Sequence, residues 1–260
     1  MSERDPLGPA PKRYRTIFIS DLHLGSRGCQ AEAIARFLKA NTAERLILVG
    51  DVIDGWRLAK TWYWPQSHTN VVRRLLTAAK RGTEVIYVIG NHDEALRSVL
   101  RFGMSFGRVA LVNRLVHEGA DGKRYLVIHG DLFDRILRAD AKVLMKLGDH
   151  AYDAIVWVNH RMNAARRLMG MPYWSLSEFL KSRSARAAAY LDRYERQVAA
   201  YASAKGFDGV ICGHVHVPAI KELSGIAYMN DGDWVESCTA LVEHHDGRWE
   251  LVAEVKDHAV

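Results

Sequence analysis

Five times along this chain a short run of aliphatic and β-branched residues ends abruptly in Asp, Asn or His, usually beside a glycine. YRTIFIS leads into Asp21 and His23, and ERLILV leads into Gly50, Asp51 and Asp54. TEVIYVI leads into Gly90, Asn91, His92 and Asp93, and RYLVIH ends in His129 before Gly130 and Asp131. DGVIC leads into Gly213, His214 and His216. Continuous apolar runs of this length read as strands buried on both faces. In α/β sheets, ligands gather in the crevice beyond the carboxyl ends of the strands. Five such ends facing one crevice make a single site.

Between the runs the periodicity is helical. AEAIARFLKAN predicts a helix over 31–41, NVVRRLLTAAKR predicts one over 70–81, and a further helix follows Asp93. Strands separated by helices of this size give a layered α/β fold. From Asp208 onward short strands return in DGVIC, IAYMN, TALVEH and RWELVAEV, with turns at Asp208–Gly209 and Asp246–Gly247. Residues 132–206 lack strand signals and read as two or three helices, broken near Gly170 and Pro172. The expected organisation is a disordered leader over 1–13, an α/β core over 14–131 and 207–260, and a helical insertion over 132–206.

The net charge of +6 is uneven. Residues 133–205 hold 13 Lys/Arg against 7 Asp/Glu, an excess that accounts for the whole of it. The insertion is therefore basic, and suits either an anionic partner or a solvated helix face. At 260 residues, 48% hydrophobic and 25% charged, the composition is that of an ordinary globular chain. No run approaches the roughly 18 apolar residues of a spanning helix. The start carries Pro and charge where a signal peptide would be apolar. The three cysteines are odd in number and lack zinc-type spacing, so reduced thiols and a cytoplasmic location are expected.

Asp21, His23, Asp51, Asn91, His129, His214 and His216 offer carboxylate, amide and imidazole donors. That mixture suits divalent Mn, Fe, Co or Zn, whereas Ca or Mg would take mostly oxygen. Seven donors exceed one tetrahedral site and fit two ions sharing a carboxylate. For Asp93, Asp131 and Asp233, turn or supporting roles are the simpler reading. His68, His117, His150, His160, His244, His245 and His258 match no motif and read as ordinary residues.

The ordered blocks DLH, GDVID, GNHD, HGD and GHVH resemble the calcineurin-like metallophosphoesterase superfamily. The resemblance implies a layered α/β/β/α sandwich and metal-dependent phosphoester hydrolysis. It implies that Asp21, His23 and His216 hold a first ion, that Asp51 bridges, and that Asn91, His129 and His214 hold a second, with manganese the expected metal. It gives His92 the place of a general acid and Asp54 that of its orienting carboxylate. A non-enzymatic scaffold of this fold would show eroded ligands, yet all seven are present.

Within the superfamily the chain is most similar to the bacterial UDP-2,3-diacylglucosamine diphosphatases, through ISDLHLG, overall size and a helical insertion between HGD and GHVH. That likeness implies a lipid-linked nucleotide sugar in lipid A synthesis, a cap over the acyl chains, and peripheral contact with an anionic inner-membrane surface. Arg135, Arg138, Arg161, Arg166 and Arg167 would meet phosphates or headgroups, and Trp56 would stack near the mouth. The chain departs from those enzymes at one residue: they read GNRD where it reads GNHD. The departure keeps open an alternative, a phosphodiesterase or phosphatase acting on another nucleotide or phospholipid. A nucleic-acid partner is not expected.

Overall fold

Successive residues of β1 (Lys12–Ile19) take opposite sides: Ile17 and Ile19 pack with one apolar cluster, Phe18 with another, and all three are buried. The split continues in β2 (Asn41–Val49), where Leu46 and Leu48 separate from Ile47 and Val49. In β3 (Glu84–Val88), Val85 and Tyr87 separate from Val88 in the same way. Side chains that alternate with a period of two, both sets apolar, give the two-faced burial that the continuous runs predict. The computed structural model describes residues 10–100, 108–137, 161–163, 166, 169 and 185–256, and all structural statements concern these.

Two sheets result. The first adds β4 (Val109–Val112), β10 (Thr239–Glu243) and β11 (Trp249–Ala253) in the order β11-β10-β1-β2-β3-β4. Its β1 to β4 are parallel, and β10 and β11 are antiparallel additions. The second comprises β5 (Leu115–Glu118), β6 (Arg124–Val127), β7 (Gly209–Cys212), β8 (Ala219–Leu223) and β9 (Ile226–Asn230), in the order β5-β6-β7-β9-β8. Phe18, Ile47, Val49 and Val88 meet Tyr125, Val127, Ile211 and Met229 between the sheets. Helices α1 (Ala31–Ala40) and α3 (Gln66–Lys80) cover the first sheet with Ile34, Phe37, Val71 and Leu75. The α/β/β/α sandwich is thus built from three apolar layers.

The outer helix of the second sheet comes from the basic segment. Helix α6 (Ala185–Ala204) packs Tyr194, Val198 and Ala202 against Val210 and Tyr228, with Phe133 of α5 (Asp131–Leu137) in the same cluster. Part of residues 132–206 therefore belongs to the core sandwich. At the other end, β1 begins at Lys12 and pairs with β2 from its first residue, so Lys12 and Arg13 are strand within the expected leader. Residues 1–9 lie outside the described residues. Strands β4, β5 and β8 answer to no strong sequence signal. Two of them, β5 and β8, are short edge strands with mostly unburied side chains, and such a pattern resembles a loop.

One polar cluster ties the sheets together. Glu243 on β10 is fully buried and accepts from Arg15 at 2.8 Å, Thr16 at 3.0 Å and the Ala120 N–H at 2.6 Å. His117, on β5 of the other sheet, lies 2.9 Å away through Nε2. Arg45 can only donate, and its Nη1 is 3.0 Å from His117 Nδ1, so Nδ1 accepts and Nε2 carries the proton to Glu243. Burial alone would raise the Glu243 pKa. The bonds from His117, Ala120 and Arg15 outweigh it and hold the carboxyl at about 2, against 4.5 when free.

This cluster gives a pH-dependent prediction. A carboxyl whose pKa is depressed on folding stabilises the fold above its unfolded pKa, and that stability disappears as pH falls through the folded value. The shift corresponds to about 3 kcal/mol. Glu243→Gln should therefore lose about that much in urea melts at pH 7, and the gap to wild type should close between pH 4.5 and 2. A gap independent of pH would show that the charge on Glu243 contributes nothing.

Candidate metal centre

All five motif-bearing strands end on the same side of the sandwich, and the backbone there is wound unusually. Among the described residues, seven non-glycine positions have positive φ, and five of them are Asp21, His23, Asp51, His214 and His216. Each costs of order 1 kcal/mol, so the surrounding structure must hold them in place. It does so by continuing strand-like pairing past β1 and β2. The Asp21, His23 and Leu24 N–H groups donate to the carbonyls of Gly50, Asp51 and Val52 at 2.9–3.0 Å. Glycine is needed where chains converge: a Cβ on Gly90 would lie 2.2 Å from Asp51 Oδ1, and one on Gly213 would lie 2.5 Å from Asp21 Oδ2.

Two triads of donor atoms form around the buried carboxylates. Asp21, His23 and His216 bring one atom each within 4.8 Å of one another, as do Asp51, His129 and His214. His23, Asp54 and His92 form a third such group beside them. Asp21 Oδ1 lies 3.1 Å from His216 Nε2 and 3.8 Å from His23 Nε2, whereas its Oδ2 accepts from Ser20 at 2.5 Å and from the His214 N–H at 2.9 Å. Asp51 Oδ2 lies 3.3 Å from His129 Nε2 and 3.9 Å from His92 Nε2, and its Oδ1 accepts from the His92 N–H. Asn91 Oδ1 is 3.1 Å from His129 Nε2. All seven sequence-predicted donors therefore converge.

The donor set fits a divalent cation. Asp21 Oδ1 is buried, makes no well-aligned hydrogen bond, and is faced by the Nε2 atoms of His216 and His23. His129 Nδ1 is 2.9 Å from the Val49 carbonyl, which can only accept, so Nδ1 bears hydrogen and Nε2 points at Asp51 and Asn91. A histidine whose far nitrogen is anchored this way is pre-set as a ligand. The electrostatics agree. Burial would raise the Asp21 and Asp51 pKa values, yet His216, His129 and His23 around Asp21, and His129 and His23 around Asp51, hold both well below the usual range. Burial would lower the His129 pKa, but the carboxylates push it well up. Positive charge is what this crevice attracts, and a cation can replace the protons.

His92 is held from three directions. Its Nδ1 lies 2.9 Å from Asp54 Oδ1, Trp56 covers its ring at 4.2 Å and 35°, and His23 meets it edge-on at 4.7 Å. Burial would lower its pKa, and Asp54 and Asp51 raise it above the ordinary histidine value. Asp54 also touches His23 Nδ1 at 3.3 Å and caps α2 (Gly55–Lys60) by accepting from the Arg57 N–H at 3.0 Å. Trp56, on that helix, is 44% exposed.

Three further acids are tied into local hydrogen bonds and ion pairs. Asp93 accepts from the Val52 and Gly90 N–H groups at 3.0 and 2.6 Å and from the Tyr87 hydroxyl, fixing the loop that presents Asn91 and His92. Asp233 accepts from the Val235, Glu236 and Ser237 N–H groups, and Asp131 pairs with Arg97 at 3.2 Å. Two groups escaped sequence reading. Ser20 links Asp21 to buried Asp231, at 2.5 and 2.7 Å, and Asp134 lies 3.0 Å from His214 Nε2. Asp134 stands three residues after the HGD block, where helical spacing could have signalled it. Of the expected substrate arginines, Arg161 is exposed and Arg166 half-buried. Arg138, Arg167 and the side chain of Arg135 lie outside the described residues.

Comparison with known proteins gives a consistent answer. The family model described as calcineurin-like phosphoesterase matches residues 14–218. A protein of Azotobacter vinelandii named UDP-2,3-diacylglucosamine hydrolase is 29% identical, covering 80% of this chain and 84% of its own. Proteins of the same name from Edwardsiella ictaluri and Xanthomonas campestris are 28% and 26% identical, covering 80% and 89% of this chain and 78% and 96% of their own. No helix among the described residues is long and apolar enough to cross a membrane. With the family model matching most of its length, over a crevice of converging Asp, Asn and His donors, the chain belongs to the calcineurin-like phosphoesterases, metal-dependent hydrolases of phosphoesters.

Proposed function

We propose that this protein is a two-ion phosphohydrolase that cleaves the pyrophosphate of a lipid-linked nucleotide sugar of the UDP-2,3-diacylglucosamine type. The observation that carries the chemistry is the pair of donor triads on either side of Asp51 and Asp21. The substrate class is supported by relatives bearing that activity in their name over 80–89% of the chain.

Asp21, His23, His216 and Asp51 would hold one ion, and Asp51, Asn91, His129 and His214 the other. Two divalent ions in such a site supply positive charge to the phosphoryl oxygens and lower the pKa of the attacking water. His92 presents Nε2 toward Asp51 while Asp54 occupies Nδ1, so the imidazole is oriented to give a proton to the departing oxygen. Trp56 closes the outer face of that imidazole and limits its contact with water. A second reading, a phosphodiesterase or phosphatase with another nucleotide or phospholipid, is favoured by His92 itself, since GNHD departs from the GNRD that the resemblance implies for those diphosphatases.

A hydrolysis panel of manganese-loaded protein decides between the readings: UDP-2,3-diacylglucosamine, simple nucleotides and bis-nitrophenyl phosphate. The first reading expects kcat/KM highest on the acylated sugar nucleotide. Cleavage of the others alone overturns it. Calorimetric titration of metal-free protein with manganese should give two ions per chain, and Asp51→Ala should lose both and nearly all activity. Full activity in that variant would remove the bridging role. His92→Ala should keep its ions yet slow by about 100-fold or more on poor leaving groups, and far less on nitrophenyl esters. Equal losses on both would exclude proton donation by His92.

A further inference from the structure

Helix α5 follows His129 and Gly130 directly, and its fourth residue brings a carboxylate to the imidazole of His214: Asp134 Oδ2 lies 3.0 Å from Nε2. That carboxylate is itself held, because the Tyr190 hydroxyl of α6 donates to Asp134 Oδ1 at 2.5 Å. One turn along α6, Tyr194 stacks on Tyr190 at 6.5 Å and 27°, and its ring lies 6.2 Å from that of His214. A Cβ on Gly130 would fall 2.1 Å from the Tyr194 hydroxyl, so glycine alone lets α6 approach so closely between His129 and α5. On its backbone side His214 is anchored by the bond from its N–H to Asp21.

An imidazole has two nitrogens, and a carboxylate against one of them selects the tautomer with hydrogen on that nitrogen. The partner at Nε2 leaves Nδ1 with the lone pair, and His214 is one of three residues, with Asp51 and His129, whose donor atoms converge. We infer that Asp134, fixed by Tyr190, is a positioning residue that holds His214 as its Nε2–H tautomer and so presents Nδ1 to the ion shared with Asp51 and His129. The consequence for metal binding rests on the two-ion reading; the tautomer rests on the geometry alone. Carboxylates that accept from a ligating histidine orient the ring and raise its basicity, and their loss costs about 10- to 100-fold in metal affinity. The arrangement also ties the site to α6, since Tyr190 is the hydroxyl that keeps Asp134 in place.

The test has two arms. In metal-free protein with nitrogen-15-labelled histidine at pH 8, the His214 ring signals, assigned by their absence in His214→Gln, should show hydrogen on Nε2. Asp134→Ala should abolish that preference, and Asp134→Asn, whose amide oxygen still accepts, should keep it. In calorimetric titration with manganese, Asp134→Ala should weaken one of the two binding steps by about 10- to 100-fold. Asp134→Asn should recover part of the loss, and Tyr190→Phe should shift the same step by less. If Asp134→Ala does not fold, Asp134→Asn and Tyr190→Phe carry both arms. Hydrogen on Nδ1 in wild type, or an unchanged tautomer and affinity without the carboxylate, overturns the inference. Wild-type protein that binds a single ion overturns the two-ion reading instead, and the tautomer arm still decides the part played by Asp134.

Discussion

Asp21, Asp51 and Asp54 are each no more than 2% exposed and share one crevice. Ionised carboxylates removed from water cost several kcal/mol each unless paired and hydrogen-bonded. Much of the local architecture answers that cost. Histidines arrive from four strand ends, backbone N–H groups of His92 and His214 donate into the carboxylates, and the Ser20 hydroxyl bridges Asp21 to Asp231. The result is a division among neighbouring acids. Asp21, Asp51 and Asp54 are held low by their histidines. Asp93 and Asp231, where burial and the charges of Asp51 and Asp21 dominate, are pushed up. A crevice that sorts its carboxylates in this way is prepared for cations before any arrive.

Such preparation needs rigid walls. Five of the seven proposed ligands stand on left-handed backbone at the ends of strands whose interiors are packed on both faces, so the strain is confined between three apolar layers. The cluster of Glu243, His117, Arg15 and Arg45 locks one sheet to the other. That link bears on the site, because β1, β2 and β3 supply one part of the ligand set while β6 and β7, in the other sheet, supply His129, His214 and His216. A slip between sheets would separate His129 from Asp51.

How much of this the sequence disclosed follows from the range of the interactions. An apolar run with a polar terminus is local, so all five motif strands and the seven polar residues that converge at their ends could be read directly, as could α1 to within a residue and α3 from four residues further on. The edge strands β5 and β8 bury little, and nothing local sets them apart from loops. The Glu243–His117 bond joins residues 126 apart, and His117 matches no motif, so a buried polar bridge reads in sequence as an ordinary histidine. Helix α6 misled differently. Its charge belongs with the basic segment, but Tyr194, Val198 and Ala202 at helical spacing are the stripe that covers β7 and β9. Composition described its outer face and concealed its inner one.

The groups around the crevice therefore divide by element. Every proposed ligand comes from a strand end, where geometry is fixed by two packed faces. Several groups that reach those ligands or the proposed acid from outside come from helices: Trp56 from α2, Asp134 from α5 and Tyr194 from α6, with Tyr190 of α6 holding Asp134. Short helices and the loops beside them tolerate change more readily than strands buried on both sides. Phosphoester chemistry can then be retained on the strands while recognition shifts on the helices. That separation lets this chain present all seven donors from its strand ends while a helix, through Trp56, covers the histidine of its GNHD block.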